Sequence, residues 1–206
     1  MGAKFITFEG PEGSGKSTHS KLLCRWLKEN NIDFIHTREP GGTEIGEKIR
    51  KILLDPKNKI SPLAEMFLYQ AARAKIVEEV IEPALKKGRS VICDRFLDAT
   101  LVYQGYAGCI NTGLIERLGK LAIKGIMPHL TLLMDIDTEK GMRRSVRDGA
   151  DRMEQKPLSY HKKVRRGYLT LAKKYPKRIK LIRVKDNINK TQEMVRKQVL
   201  RCLGLK

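Results

Sequence analysis

The stretch KFITFEGPEGSGKST, residues 4–18, decides how the rest of the chain is interpreted. Its first half is a short run of aromatic and β-branched residues, which predicts a buried strand. Its second half matches G-x-x-x-x-G-K-[ST] at residues 10–17, and an amphipathic helical pattern follows directly. Glycines in such a loop let successive backbone N–H groups point at phosphate oxygens, and the helix adds its positive end. A loop that binds nothing is the minor alternative in this context, so we predict a nucleoside triphosphate site.

The residues of this loop, the P-loop, have separate predicted roles. Lys16 would reach the β- and γ-phosphates, and the Ser17 hydroxyl would join the shell of a Mg²⁺ ion. Asp94 is a second candidate for the metal shell, because the apolar strand 90–94 ends on this carboxylate in the position of a Walker B acid. The predicted nucleotide-binding set in the loop is Gly10, Pro11, Glu12, Gly13, Ser14, Gly15, Lys16, Ser17 and Thr18.

Composition restricts the class of protein. The 206 residues are 41% hydrophobic and 32% charged, as in a soluble globular domain, and no apolar run reaches the ~20 residues that span a bilayer. The chain enters its first strand without a signal-peptide pattern. Its four cysteines show no C-x-x-C pairing, so we expect reduced thiols. We therefore predict one cytoplasmic domain over residues 1–206, without a membrane partner.

The net charge of +19 is the compositional outlier and leaves two alternatives open. It could mark nucleic-acid binding, or it could belong to a lysine-rich enzyme whose field attracts anionic substrates. The charge is spread along the chain and is thickest in 140–180, whereas a dedicated nucleic-acid binder concentrates it on one face. The distribution favours the enzyme, and we expect no specific nucleic-acid partner.

The order of patterns after the P-loop predicts the architecture. Further short strands alternate with amphipathic helices, at 34–37, 90–94, 130–135 and 179–184. This order predicts the α/β class: a single-domain P-loop fold with a five-stranded, mostly parallel sheet and helices on both faces. The polar and aromatic segment 97–105 is expected to be irregular. The arginine-rich stretch 141–155 has the composition of a short lid that closes over phosphates.

Arginines near the carboxyl ends of strands form a second group of candidates. Arg38 ends the second strand and Arg95 follows the third, and ligands bind at this edge of an open α/β sheet. A long helix that begins at Ser61 carries Phe67, which by itself is more often a core residue than a ligand contact. The same helix carries Arg73 among apolar neighbours, where an arginine needs a partner.

The reaction class follows from these cations. A GTPase switch is disfavoured, since no N-K-x-D motif is present and no D-x-x-G motif follows the second strand. A phosphoryl transferase must grip an anionic acceptor as well as the triphosphate, and its catalysis is mostly positioning and electrostatics. Two arginines opposite the P-loop and an arginine-rich lid therefore favour a nucleoside monophosphate kinase.

The motifs of the chain also resemble a known family. Five segments of the chain resemble those of the thymidylate kinase family in order and spacing, and together they cover essentially the whole chain. They are FEGPEGSGKST, TREPGGT, EMFLYQAARA, DRFLDATLVYQG and DRMEQ. The resemblance implies phosphorylation of dTMP to dTDP by ATP with Mg²⁺, in a homodimer packed through helices that could include the one beginning at Ser61. Two alternatives stay open: an acceptor such as dUMP or another pyrimidine nucleotide, and a basic nucleic-acid-binding protein that uses ATP as a switch.

The resemblance implies roles for individual residues as well. Glu12 would accept a hydrogen bond from the deoxyribose 3′-OH, and Arg38 and Arg95 would bind the dTMP 5′-phosphate. Phe67 would stack on thymine. The other implied substrate contacts are Arg73 to a thymine carbonyl, Tyr103 over the sugar, and Thr100 and Gln104 beside base and sugar.

Gly13 bears on the source of the transferring cation. Some members of the family carry an arginine at this position, and in members without it the lid supplies the cation. The resemblance therefore implies a lid arginine, with Arg147 our choice ahead of Arg143 and Arg152. These three are expected to contact ATP, and the implied catalytic set is Lys16, Arg38, Arg95 and Arg147. The segment 106–109 lacks the arginine that the family usually carries there.

Overall fold

Strand β1 (Phe5–Glu9) is the middle strand of a five-stranded sheet in the order β2-β3-β1-β4-β5. The computed structural model describes residues 2–145 and 150–205. The other strands are β2 (Phe34–Arg38), β3 (Ser90–Asp94), β4 (Leu130–Asp135) and β5 (Ile179–Arg183). Every strand pairing is parallel. The predicted sheet is therefore confirmed, and the carboxyl ends of all five strands meet at one edge.

Helices connect the strands and cover both faces of the sheet. They are α1 (Lys16–Glu29), α2 (Glu44–Leu54), α3 (Pro62–Ile76), α4 (Glu82–Lys86), α5 (Leu97–Thr100), α6 (Thr112–Ala122), α7 (Thr138–Ser145), α8 (Leu158–Lys174) and α9 (Ile188–Leu203). A π-helical turn, Val77–Ile81, joins α3 to α4, and another π-helical segment, Leu101–Ala107, continues α5. Among the described residues, no helix is both long enough and apolar enough to cross a bilayer.

The side chains of the strands alternate between two cores. Phe5 of β1 and Leu133 of β4 pack on the side of α3, α6 and α8, while Ile6 and Leu132 pack on the side of α1 and α9. All four side chains are almost completely buried. Because helices bury the sheet on both faces, the strands are held firmly in place. The edge formed by their carboxyl ends is therefore a well-ordered part of the fold.

The expectation that residues 97–105 are irregular is wrong. They form α5 and most of the π-helical segment, although their composition is polar. The reason is that Leu97, Leu101 and Val102 bury their side chains in the core, and this packing overrides the local preference. The wider π turn brings Tyr103 and Gln104, neighbours in sequence, into buried positions together. Such π-helical turns frequently occur at functional sites.

The described parts of the arginine-rich stretch 141–155 lie on the two sides of residues 146–149. Residues 141–145 belong to α7, and residues 152–155 form turns in which Arg152 and Met153 are buried. Arg143 is therefore helical and exposed, whereas Arg152 is buried.

Candidate active site

The P-loop lies between β1 and α1 and is packed closely against its surroundings. Gly10, Gly13 and Gly15 have φ angles of 143°, 63° and 81°, which only glycine adopts readily. A Cβ atom on Gly13 would lie 1.9 Å from the carbonyl oxygen of Gly141, so this residue allows the P-loop to touch α7. The loop geometry therefore explains the glycine spacing that the sequence displayed.

Lys16 folds back over the loop. Its Nζ donates to the Pro11 carbonyl at 2.8 Å, and its side chain is buried. Burial and the neighbouring Arg95 lower the pKa of Lys16 to about 8, although Glu12 acts in the opposite direction. An anionic phosphate placed beside Nζ would raise this pKa again and stabilise the charged ammonium form, so the loop suits a phosphate ligand.

Ser17 and Asp94 are the predicted metal-shell pair, and the structure brings them into contact. The Ser17 hydroxyl donates to the Asp94 carboxylate, which joins the first turn of α1 to the end of β3. Hydroxyl and carboxylate oxygens are the ligands that Mg²⁺ prefers, and Mg²⁺ usually takes few protein ligands and keeps waters and substrate phosphates. The described residues contain no cluster of three His, Cys, Asp or Glu side chains able to hold a metal. The pair therefore fits a nucleotide-bound Mg²⁺.

Glu12 and Arg95 form the electrostatic centre of the site. One nitrogen of Arg95, Nη2, lies 2.8 and 2.9 Å from the two carboxylate oxygens of Glu12, and the Tyr103 hydroxyl donates to the same carboxylate at 2.7 Å. Burial by itself would raise the pKa of Glu12, but Arg95 and Lys16 lower it to about 2. Glu12 is therefore an anion at neutral pH, and it is held beside the P-loop.

Arg38 lies at the end of β2, at the edge of the same cleft. Its side chain is 55% exposed, and its Nη2 atom is 3.0 Å from the carboxylate of Glu47 in α2. Glu47 also accepts the backbone N–H of Gly42 at 2.9 Å. Arg38 is accordingly paired within the protein but remains accessible to an anionic ligand.

Arg50 is a cleft residue that the sequence analysis missed. It lies one turn beyond Glu47 on α2, donates to the Pro40 carbonyl at 2.9 Å and lines the cleft. The spacing of three residues from Glu47, which faces the same cleft, is the sequence signal that could have identified it. Together with Arg38 and Arg95, it gives the cleft three cations on the side of β2 and β3.

Three of the predicted substrate contacts, Arg73, Thr100 and Gln104, belong to one wall of the cleft. Thr100 and Gln104 line the cleft, and Arg73 lies behind them with 1% of its surface exposed. Arg73 donates to Glu39 at 2.8 Å, to Gln70 at 2.9 Å and to Thr100 at 2.9 Å. Burial raises the pKa of Glu39 to about 7, although Arg73 opposes the shift. Arg73 thus organises this wall.

Phe67 does not occupy the position expected of it. Its side chain is 50% exposed on α3, and it is not among the described residues that line the cleft, whereas Tyr69 is. Residues of a helix rotate by about 100° each, so Phe67 lies about 120° around the helix from Arg73, and Tyr69 only about 40° from it. The aromatic residue on the cleft side of α3 is therefore Tyr69.

Arg152 is held by the walls of the cleft. Its Nε atom donates to the Leu53 carbonyl at 2.7 Å, and its Nη2 atom is 2.6 Å from the carboxylate of Glu65, which also accepts from Gln104 at 2.7 Å. These bonds tie the end of the lid to α2, α3 and the π-helical segment. In this structure Arg152 therefore pairs with side-chain and backbone groups of the protein, and its expected contact with ATP stays a prediction.

The other lid arginines have different positions. Arg144 pairs with Asp186 at 3.3 Å, and Arg143 is exposed on α7. Arg147, the arginine chosen as the transferring cation, lies outside the described residues. Ser145 and Glu154, on the two sides of the undescribed segment, both line the cleft.

The cleft as a whole has a volume of about 940 Å³, near the upper end of the range for small-molecule sites. It runs from the P-loop to the wall that holds Thr100 and Gln104. A space of this size and polarity can hold two phosphorylated ligands end to end.

Comparison with known proteins gives a consistent result. The model of the family described as thymidylate kinase matches residues 8–195. A thymidylate kinase of Caldanaerobacter subterraneus is 46% identical over 97% of this chain and 96% of its own length. A thymidylate kinase of Kosmotoga olearia is 45% identical over 97% and 96%. The crystal structure of thymidylate kinase from Ehrlichia chaffeensis superimposes with a TM-score of 0.79 at 35% identity, covering 97% of this chain and 99% of the other.

Proposed function

The chain belongs to the thymidylate kinase family, and we propose that the residues gathered in its cleft carry out that family's reaction. The chain is an enzyme that transfers the γ-phosphoryl group of ATP to the 5′-phosphate of dTMP and forms dTDP and ADP. The observation that carries the residue assignment is the pairing of Arg95 with Glu12, which places the arginine after β3 directly beside the P-loop.

The phosphate-binding roles follow from the cations. Lys16 would bind the β- and γ-phosphates of ATP, and Arg95 would bind the 5′-phosphate of dTMP from the opposite side. Arg38 would exchange its partner Glu47 for the same phosphate, since it is half exposed and bound only at the surface. Fixed cations on both sides of the reacting phosphates lower the cost of bringing two anions together, which is the main catalytic problem of phosphoryl transfer.

Mg²⁺ would be held by Ser17 and, through water, by Asp94 at the ATP side. When bound, this ion neutralises charge on the β- and γ-phosphates. The Ser17–Asp94 contact supports the assignment because it places both oxygens at the point where α1 begins. The hydroxyl donates its proton to the carboxylate here, which leaves lone pairs on the Ser17 oxygen free for the metal.

The sugar and base contacts are assigned to Glu12 of the P-loop and to the wall that holds Thr100 and Gln104. Glu12 is ionised at neutral pH, so it can accept a hydrogen bond from the deoxyribose 3′-OH. Tyr103 contacts Glu12 and would close over the sugar. We assign the aromatic contact with thymine to Tyr69 in place of Phe67, and Arg73 would act on the base through Thr100.

The lid arginines complete the ATP side of the proposal. Arg143 and Arg147 would contact ATP, and Arg147 remains our choice for the transferring cation because Gly13 leaves the P-loop without an arginine at that position. Arg152 has a buried ion pair in the wall, so it is the least suited of the three to move toward phosphate.

A homodimer is part of the same proposal. Leu63 and Phe67 lie one turn apart on α3, each 50% exposed, and Ile45 and Ile52 of α2 are each 45% exposed. Apolar side chains grouped on neighbouring helices are a suitable surface for self-association. The proposed cytoplasmic location is supported by the four cysteines, which are all free thiols, as is usual in a reducing compartment.

An acceptor panel tests the proposal. ADP release would be measured with ATP and Mg²⁺ and each nucleoside monophosphate in turn, for the unmodified chain, for Arg95→Ala and for Arg89→Ala. Arg89 is a matched control because it also makes a two-point ion pair, with Asp33, but at the exposed surface. We expect turnover with dTMP that falls about 10³-fold in Arg95→Ala and is unchanged in Arg89→Ala. ADP release without any acceptor would indicate an ATPase instead, and turnover with another monophosphate would refute the base contacts.

A further inference from the structure

Glu9 is a buried carboxylate to which the proposed reaction gives no role. It is the last residue of β1, its surface is 0% exposed, and it is not among the described residues that line the cleft. A carboxylate without exposure needs hydrogen-bonding partners, and the two partners of Glu9 both lead to Arg95.

The first partner controls the backbone of Arg95. Oε1 of Glu9 accepts the N–H of Phe96 at 2.7 Å, and the N–H of Arg95 itself donates to the carbonyl of Phe8 at 2.9 Å. Arg95 has a φ angle of 68°, a left-handed conformation that costs free energy in residues other than glycine. The end of β1 thus holds the strained turn through N–H groups on two consecutive residues.

The second partner controls the side chain of Arg95. Oε2 of Glu9 accepts the hydroxyl proton of Tyr168 at 2.7 Å, and the Tyr168 oxygen in turn accepts from Nη1 of Arg95 at 3.3 Å. The other terminal nitrogen of Arg95 binds Glu12. Glu9 therefore fixes the guanidinium group on the side away from Glu12.

We propose that Glu9 is a positioning residue that aims Arg95 at the 5′-phosphate of the acceptor nucleotide. The inference rests on the proposed function, in which Arg95 binds this phosphate. It adds that one carboxylate outside the cleft fixes both the backbone turn and the guanidinium group. Burial, reinforced by Asp98, raises the pKa of Glu9 to about 8. Substitution by glutamine keeps the shape of the side chain but leaves one accepting oxygen for the two hydrogen bonds from Phe96 and Tyr168.

The test compares a ligand that has the phosphate with one that lacks it. Dissociation constants for dTMP and for thymidine would be measured for the unmodified chain, for Glu9→Gln and for Tyr168→Phe, together with thermal unfolding of each protein. We expect Glu9→Gln to weaken dTMP binding at least tenfold and thymidine binding less than twofold. Tyr168→Phe should also weaken the binding of dTMP more than that of thymidine, but by a smaller factor. It removes only the contact with the guanidinium group of Arg95 and keeps the contact of Glu9 with the backbone.

Several outcomes would overturn the inference. Equal weakening of dTMP and thymidine would show that Glu9 is merely structural, and unchanged dTMP binding would show that it does not position Arg95. If Glu9→Gln does not fold, Tyr168→Phe decides by the same comparison, since it keeps the ring in the core. An unmodified chain that fails to phosphorylate dTMP would instead refute the proposed function, which separates the two failures.

Discussion

Glu12 and Arg95 form an ion pair in which one guanidinium nitrogen contacts both carboxylate oxygens, at 2.8 and 2.9 Å. The pair directly connects the P-loop, on one side of the cleft, to the turn after β3, on the other side. Lys16 lies in the same field: Arg95 lowers its pKa and Glu12 raises it. The charge on Lys16, which we propose binds the triphosphate, therefore depends on Glu12 and Arg95, which we propose bind the acceptor.

This coupling predicts a pH effect of Glu12→Gln. The pKa of Lys16 is about 8 in the free protein, and removal of the carboxylate that raises it should bring it below 8. Because kcat/KM reports groups of the free enzyme and Lys16 binds phosphate when protonated, kcat/KM for ATP should fall as pH rises through about 8 in the unmodified chain. In Glu12→Gln the fall should begin at lower pH. Glu47→Gln is the control, since Glu47 pairs with Arg38 at the cleft edge; an identical alkaline limb in all three proteins would contradict the prediction.

The two aromatic residues of α3 should respond differently to truncation. Tyr69→Ala removes the aromatic face from the cleft, and stacking on a base contributes about 1–3 kcal/mol, so KM for dTMP should rise by about 5- to 150-fold. Phe67→Ala should leave KM unchanged, because this side chain is half exposed outside the cleft. Steady-state kinetics at saturating ATP measures both. A larger effect of Phe67→Ala on KM would restore the original assignment of the thymine contact.

Features that depend on neighbours in sequence were predicted correctly from the sequence. The glycine spacing before Lys16 reflects a loop whose positive φ angles demand glycine. Asp94 ends a clearly apolar strand, and Arg95 follows it. The parallel sheet followed from strands alternating with helices. These patterns are local, so one sequence contains them in full.

Features that depend on helix phase or on distant contacts were missed. Counting three residues at a time from Phe67 to Arg73 accumulates about 120° of rotation, and Phe67 is not among the described residues that line the cleft, whereas Tyr69 is. Glu65 and Arg152 are in contact although they lie far apart in the sequence, and no pattern in a single sequence connects them. Likewise, the buried position of Tyr103 depends on a π-helical turn stabilised by the core rather than by its own composition.

Substitutions of Glu65 and Arg152 should be strongly non-additive in their effect on the free energy of unfolding. The two side chains are 7% and 10% exposed, so loss of either charge leaves the other buried without its partner. We expect Glu65→Gln or Arg152→Met to lower the free energy of unfolding by about 3–5 kcal/mol, and the double variant to lose clearly less than the sum. Urea denaturation provides the four values.

The matching control for this cycle is Glu44→Gln with Lys48→Met, an exposed pair one turn apart on α2. Such surface pairs contribute about 0.3–0.5 kcal/mol, so that cycle should be nearly additive. Additive losses for Glu65 and Arg152 as well would mean that their contact does not anchor the lid.

Gly13→Ala should separate α7 from the P-loop. The φ angle of 63° already disfavours any side chain, and the added Cβ would lie 1.9 Å from the Gly141 carbonyl oxygen. Gly88→Ala is the control, because Gly88 has a φ angle of 75° with nothing within 4 Å of the added atom. It should lose only the backbone cost of about 1–2 kcal/mol. Gly13→Ala should lose more stability and also weaken ATP binding, whereas equal losses and unchanged ATP affinity would contradict the close contact.

The same contact connects the P-loop to the source of the transferring cation. Any side chain at position 13 meets the backbone of Gly141, so an arginine at this position would require α7 to move. A Gly13→Arg variant should therefore show weaker ATP binding rather than a gain in kcat. A rise in kcat with ATP affinity preserved would show that α7 yields easily, and that the absence of an arginine from this P-loop is not imposed by Gly141.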